Sequence, residues 1–424
     1  LANLQRLSLC VQDTLLLPPG TFAFRRRGSY FTMSRPATIA ASVPGTVVLN
    51  ATAARVRGGV LFNVQPPPSM LPPATLSLVN ITILNMGSGS DSIVAAQGLR
   101  VTGSGAVLEL ENCVIKSSTA DTAITRFLVN PGLGGAIAVT NGGTLLARNT
   151  TFEHCSASIS GGAVVVDFED SIARISGGAL IDNSAATHGG AIAVINGGRL
   201  ELDGVRFESN VAELGSGGAI YTDASAHVTI NDAVVINNVA TLGGGVFVSP
   251  ATSLFVSRAT LYHNSARDSG GGIYVSRSGR LTAMSTTLNA NSAANFGGGI
   301  ALRPSDNVTL DDCTLSANTA AIGGAIAILA ENHNIDAISS TSHLRVSTVD
   351  PHPLAPTAIL TNTVLSGNHA NRGGGIYACD GLLSIAGPHT VWTRNTATVS
   401  GGKDTTSRDA FLCLPAPPFG FLFD

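Results

Sequence analysis

Charge is scarce in this chain. Of 424 residues only 12% are charged, 24 Lys and Arg against 27 Asp and Glu, and a net charge of -3 offers no basic field to a phosphate backbone. Nucleic acid is therefore not expected as a partner. No apolar run reaches the roughly 18 residues of a membrane helix, and LANLQRLSLCVQDTLLLPPG lacks the basic-then-apolar order of a signal peptide. The chain opens on Leu and is read as a processed form or a piece of a larger surface protein. Six cysteines spread over this length are too few and too scattered for a disulfide framework. H-x-x-x-H and C-x-x-C are missing, so no metal is expected, and with no G-x-S-x-G elbow or phosphate loop no cofactor is expected either.

What the chain has in excess is glycine, 48 residues, and an internal clock. The block Gly-Gly-(Ala/Gly)-(Ile/Val) has its third residue at Ala136, Ala163, Ala191, Ala219, Gly245, Gly272, Gly299, Ala325 and Gly375, in steps of 26 to 28 residues with one of 50. A second block, apolar-x-x-Asn-x-Ala, keeps the same time with Asn183, Asn210, Asn238, Asn264, Asn291, Asn318, Asn368 and Asn395. Cys155 fills the Asn slot one repeat earlier, and Ser118 the one before. The long step is one repeat plus an inserted loop at 331–355.

Between blocks the residues alternate apolar and polar, as in GRLELDGVRF and NVTLDDCTLSA, which is strand periodicity. One repeat of ~27 residues cannot bury its own apolar face; stacked repeats can. The expected fold is all-β, a right-handed parallel β-helix solenoid of about a dozen three-strand coils, roughly 60 Å long at a strand spacing of about 4.8 Å. Asparagines at one position in successive coils form an amide ladder, and the Gly pair makes the tight turn. The organisation read from the repeat is a lead-in or cap segment at 1–35, irregular first coils at 36–112, regular coils at 113–402 and a C-terminal tail or cap at 403–424.

The paired blocks, GGA(I/L/V) and F-x-x-N as in FESNVA followed by GGAI at 207–220, resemble the repeats of the polymorphic outer-membrane protein family. More broadly the chain is similar to the pectin-lyase-like right-handed β-helix, with LPPGTF near its start like a first-coil segment. The resemblance implies a rigid extracellular or cell-surface segment, structural or adhesive and without enzymatic activity, whose partner is a protein or glycan at a cell surface. The alternative is a polysaccharide-active lyase or glycoside hydrolase of the pectin-lyase-like fold, or a glycan-binding module.

An enzyme of that kind needs carboxylates in register on one face. Asp167 and Asp223 occupy one loop-edge position two coils apart, about 9.6 Å at the strand spacing, and are the weak catalytic candidates. Asp311-Asp312 lies within strand pattern and reads as a solvated edge, while His188, beside a Gly turn, reads as an exposed or hydrogen-bonded imidazole. Tyr221, Phe247 and Tyr274 follow the Ile/Val of the Gly block in three successive coils. They are expected as an outward stripe that stacks on sugar rings or a protein, or else as rings stiffening the sheet by stacking on one another. Sequons stand at Asn50, Asn80, Asn149 and Asn307. Cys379 and Cys413 are placed to bridge the last coil and the tail.

Overall fold

A computed structural model describes residues 13–23, 31–51, 61–66, 73–86, 98–120, 132–223, 225–303, 307–329, 357–379, 382–398 and 410–413. The inserted loop at 331–355, most of the C-terminal tail and the first twelve residues lie outside them. Two compact units divide the chain, Leu1–Ala240 and Thr241–Asp424. Among the described residues every regular element is a β-strand.

In the first unit one coil shows how the sequence is folded. Ile192–Ile195 lies in sheet C, Arg199–Asp203 in sheet A, Arg206–Glu208 in sheet B and Val211–Ala212 in the narrow sheet D. Each strand pairs in parallel with its equivalents one coil before and one coil after, so that Leu200 faces Ala173 on one side and Val228 on the other. Alternation then sorts the side chains: Leu200 and Leu202 are buried, while Arg199 and Asp203 are exposed. Repeated in every coil, this piles Ile, Leu, Val and Phe into continuous apolar columns, each buried side chain contributing about 2 kcal/mol.

Coils have four strands rather than three. The long alternating run after each C strand is broken by a single left-handed residue, Asn149 (φ 46), Asp232 (φ 51) or Gly204 (φ 62) in the first unit, which turns sheet A into sheet B. Asn, Asp and Gly tolerate this conformation best. Across the corner the buried positions change phase, from Leu200 and Leu202 to Val205 and Phe207. The second unit does the same at Arg258, Ser285 and Asp312. Asp311 thus ends a sheet A strand, and Asp312 is the corner, accepting a hydrogen bond from the Ser285 hydroxyl at 3.0 Å.

Between sheets B and D runs the amide ladder. In the first unit the Asn183 Nδ2 donates to Asn210 Oδ1 at 2.9 Å, and the Asn210 Nδ2 to Asn238 Oδ1 at 2.9 Å. Each oxygen also receives a backbone N–H from the coil before, and the second amide proton of Asn210 goes to the Leu180 carbonyl. Cys155 continues the column, its N–H on Asn183 Oδ1 at 2.9 Å. In the second unit Asn264, Asn291, Asn318, Asn368 and Asn395 form the same chain of bonds at 2.8 to 3.0 Å. Asn318 and Asn368 bond directly although 50 residues separate them, so the insertion leaves the stack undisturbed.

Sheet D leads into sheet C through the Gly pair. Gly189 sits at φ +63, and a Cβ on Gly190 would lie 2.2 Å from the Gly218 carbonyl oxygen. The first glycine supplies the turn and the second the close approach between coils.

The three described interior cysteines are buried and free. Cys113 and Cys313 hold the same corner position as Thr150, Thr286 and Thr363, and each thiol donates to a carbonyl of the preceding coil, Leu78 and Ala283. Burial raises their pKa, to about 11 for Cys313, and that of Cys155 to about 12. They are small interior donors with no thiolate chemistry.

Candidate active site

Sheet C is buried on both faces over much of the first unit. Its outward residues Ala138, Val165 and Ala193 are fully covered by an apolar cluster that includes Leu133, with Ile159, Ile195 and Tyr221 packed at its border. Tyr221 is the next residue in that column and is half-exposed. The cover ends here, and polar chemistry begins.

His188 lies on the D-to-C loop one residue ahead of the Gly pair. Its ring stacks on Tyr221, centroids 4.3 Å apart and planes 20° from parallel. Its Nδ1 accepts the backbone N–H of Ser216 in the next coil at 3.1 Å. A neutral imidazole whose Nδ1 is an acceptor carries its proton on Nε2, so the ring offers Nε2–H as a donor. Gly215 is required beside it, since a Cβ there would stand 2.7 Å from Nδ1. Burial lowers the His188 pKa below its usual 6.5, and the nearby Asp223 carboxylate opposes that only in part. Protonation would also set N–H against the Ser216 N–H.

Neutrality of this ring has a measurable signature. A histidine whose pKa falls on folding leaves the unfolded chain with more bound protons below pH 6.5, so stability from this site is complete above that value and declines as pH falls through it. The difference in melting temperature between wild type and His188→Gln is expected to shrink on acidification from pH 7 to 5, and the 15N shifts of His188 to report the Nε2–H tautomer. A protonated Nδ1 at neutral pH would exclude the arrangement.

Asp223 closes the site. Its backbone N–H bonds the Val194 carbonyl at 2.8 Å and its carbonyl accepts Ala226 N–H at 3.0 Å, which fixes the chain at the end of the strand while the side chain remains half-exposed. Asp167 occupies the equivalent position two coils earlier, with Ile195 between them. It is only 1% exposed and accepts the Asn196 side-chain amide at 2.8 Å. The register brings the two acids into one column, but only Asp223 faces an accessible surface. Among the described residues no cluster of three or more His, Cys, Asp and Glu is arranged to hold a metal.

The expected aromatic stripe is divided in use. In the second unit Phe247 and Tyr274 are register partners stacked at 5.3 Å and 5°, leaving 8% and 5% of their surfaces exposed. The Arg303 Nε donates to the Tyr274 hydroxyl at 3.0 Å. These rings spend their faces on each other, whereas Tyr221 in the first unit stacks on a titratable partner. The sequence signal for His188 was its column: Leu133, Ser160 and His188 are bridged in successive coils, and only the last carries a titratable side chain.

The family described as right handed beta helix region matches residues 75–282 and 244–398, more than half of the chain, and the chain belongs to it. Among curated proteins none matches in sequence. Of solved structures, the chain is similar to the alginate lyase AlyF-OU02 in complex with G6 (11% identity, 92% of this chain and 81% of that one, TM-score 0.52). It is also similar to the Azotobacter vinelandii mannuronan C-5 epimerase AlgE6 A-module (11%, 90% and 91%, 0.44). A third is the catalytic unit of the GH87 alpha-1,3-glucanase from Streptomyces thermodiastaticus strain HF3-3 (12%, 91% and 65%, 0.36).

The likeness to the alginate lyase corrects the expectation of a non-enzymatic structural or adhesive segment. The chain shares its coil plan with that lyase, and the repeat that suggested a scaffold is compatible with either role. Glycine turns and an amide ladder describe how the coils stack; they carry no information on what the outer face does.

Proposed function

We propose that this chain is a polysaccharide-active protein working outside the cytoplasm, with its site on the outer face of sheet C at His188, Tyr221 and Asp223. The observation that carries this is the imidazole of His188, held neutral by the Ser216 amide, stacked on Tyr221 and close enough to Asp223 to feel its charge. Ile159 and Ile195 border the same spot as apolar surface. Apolar and aromatic faces beside a few directed polar groups suit a sugar ring, whose faces are apolar and whose rim is hydroxyl.

Roles follow from the protonation states. His188 is a hydrogen-bond donor through Nε2, able to bind a sugar oxygen or the charge developing on it. It is a poor proton acceptor, because Nδ1 is already engaged. Asp223 is the group placed to move a proton, and the Tyr221 hydroxyl orients the sugar. A glycan-binding module without turnover is the second reading, favoured by the burial of Asp167, which leaves one accessible carboxylate in the column.

Incubation with a polysaccharide panel, read by release of reducing ends, by ultraviolet absorbance of unsaturated ends and by binding, tests the proposal. Binding or cleavage that disappears in the His188→Ala, Asp223→Asn double variant supports it. A panel on which wild type and double variant behave alike removes the site.

The GGAI and F-x-x-N spacing also supports a relationship to the polymorphic outer-membrane repeat, in keeping with a secreted chain. No helix among the described residues is long and apolar enough to cross a membrane. For a secreted chain, Asn149 and Asn307 are the exposed sequons and Asn50 and Asn80 the half-buried ones. Cys379 and Cys413 are backbone register partners on adjacent strands, a separation of about 4.8 Å that lies within the range a disulfide spans. Peptide mapping without reductant is expected to recover them linked, and Cys113, Cys155 and Cys313 as free thiols. Recovery of two free alkylated cysteines at 379 and 413 from secreted protein would refute the bridge.

A further inference from the structure

At one place on sheet C of the first unit, polar atoms are left over. Arg100 and Asn63 are register partners on the strands Leu99–Thr102 and Phe62–Val64, each half-buried between fully buried neighbours that point inward. Among the described residues the Arg100 Nε and the Asn63 Oδ1 are buried with no hydrogen-bond partner. Asn63 spends its amide nitrogen on Gln65 Oε1 at 3.3 Å, which leaves its oxygen over. One orphan is a donor and the other an acceptor, on adjacent coils, yet they do not bond to each other.

Thr102 lies two residues beyond Arg100 on the same face and completes the group. Its Oγ1 accepts the Thr140 hydroxyl at 3.1 Å and the Asn141 amide at 3.3 Å. With both lone pairs engaged, its own proton is what it has left to give.

Withdrawing a guanidinium from water is unfavourable unless an anion meets it. Burial lowers the Arg100 pKa, the direction desolvation gives and the reverse of what a neighbouring carboxylate produces. Nε and one Nη share an edge of the guanidinium plane, and that edge matches the two oxygens of a carboxylate. A carboxylate by itself would leave Asn63 Oδ1 unserved, since it has no proton to donate. A uronic acid residue supplies both needs: its carboxylate for the Arg100 edge, and ring hydroxyls to donate to Asn63 and to accept from Thr102.

We infer that Arg100, Asn63 and Thr102 form a second sugar contact of the first unit, one that takes a uronic acid residue by its carboxylate. It stands apart from His188, Tyr221 and Asp223. Arg100 shares the outward column of Tyr221, but the register runs through Ala138, Val165 and Ala193, which the apolar cluster covers. Four steps amount to about 19 Å. The inference rests on the polysaccharide reading and sharpens it: the polysaccharide carries uronic acid and is anchored at a place remote from the proton transfer.

Titration calorimetry with pectate and alginate oligomers, beside the same oligomers reduced at the carboxyl to neutral sugars, tests the anchor. Wild type is expected to bind at least one acidic series about 10- to 100-fold more tightly than its reduced counterpart, the range for hydrogen bonds to a charged group. Arg100→Met is expected to abolish that preference and Arg100→Lys to retain only part of it, since an ammonium lacks the fork. Asp223→Asn is expected to keep it in full. Without ligand, Arg100→Met is expected to melt no lower than wild type; a lower melting temperature would mark the arginine as structural and overturn the site. Equal affinity of wild type for acidic and reduced series would overturn it while leaving the polysaccharide reading in place. So would a preference that survives Arg100→Met or that Asp223→Asn also removes. Sulfate competing as well as the uronate oligomers would make this a site for bare anions and overturn the sugar. Failure to bind any member of either series would remove both the anchor and the polysaccharide reading.

Discussion

Asn210→Ala is expected to destabilise the first unit by about 4 kcal/mol, measured as the shift in the urea midpoint with the slope unchanged. The side chain is fully buried and joins three coils. Its Oδ1 accepts both the backbone N–H and the Nδ2 of Asn183, and its Nδ2 serves the Leu180 carbonyl and Asn238 Oδ1. Deleting it strands two donors and weakens two acceptors with no route to water, at about 1–3 kcal/mol for each group left unpaired. Part of that is recovered by relaxation. Asn395 provides the comparison, since it is the last amide of its column among the described residues: it accepts from Asn368 and donates to Leu365. Asn395→Ala is expected to cost about half as much. An Asn210→Ala midpoint indistinguishable from wild type would mean the ladder contributes nothing to stability.

The second large effect concerns chemistry. Asp223→Asn keeps the shape of the side chain and leaves the backbone bonds to Val194 and Ala226 intact. It removes the one accessible carboxylate in its column. On a polysaccharide that the wild type cleaves, kcat is expected to fall by about 10²- to 10⁴-fold, with KM nearly unchanged and the melting temperature within about a degree of wild type. Asp167→Asn should show the opposite pattern. That carboxylate is buried against Asn196, so its loss acts on the fold and leaves kcat of the surviving protein alone. Retention of wild-type kcat in Asp223→Asn would exclude it as the proton-transfer group.

How much of this was legible in the sequence depends on whether a property repeats. The Asn and Gly blocks recur because every coil must solve the same stacking problem, so Asn183, Asn210 and Asn238 announced both the period and their own contacts. Even the step of 50 residues was readable, and the direct bond between Asn318 and Asn368 agrees with it. The split of one long strand into sheets A and B was written only as a slip of phase in the alternation, from Leu200 and Leu202 to Val205 and Phe207, a signal one residue wide. The site was harder still. The combination of His188, Tyr221 and Asp223 does not repeat, and its members meet only because adjacent coils bring positions 33 and 35 residues away from His188 beside it. A search for columns of acids found Asp167 and Asp223, yet could not tell that one is buried against Asn196 while the other stays half-exposed.

The bond across the long step also says something about how such a chain can change. Asn318 and Asn368 clasp at 3.0 Å, the same length as neighbours separated by 27 residues. The stack of coils in the second unit therefore does not count what happens between one rung and the next. Foreign segments could be grafted at this junction, and natural ones gained or shed there, without asking the rest of the molecule to refit.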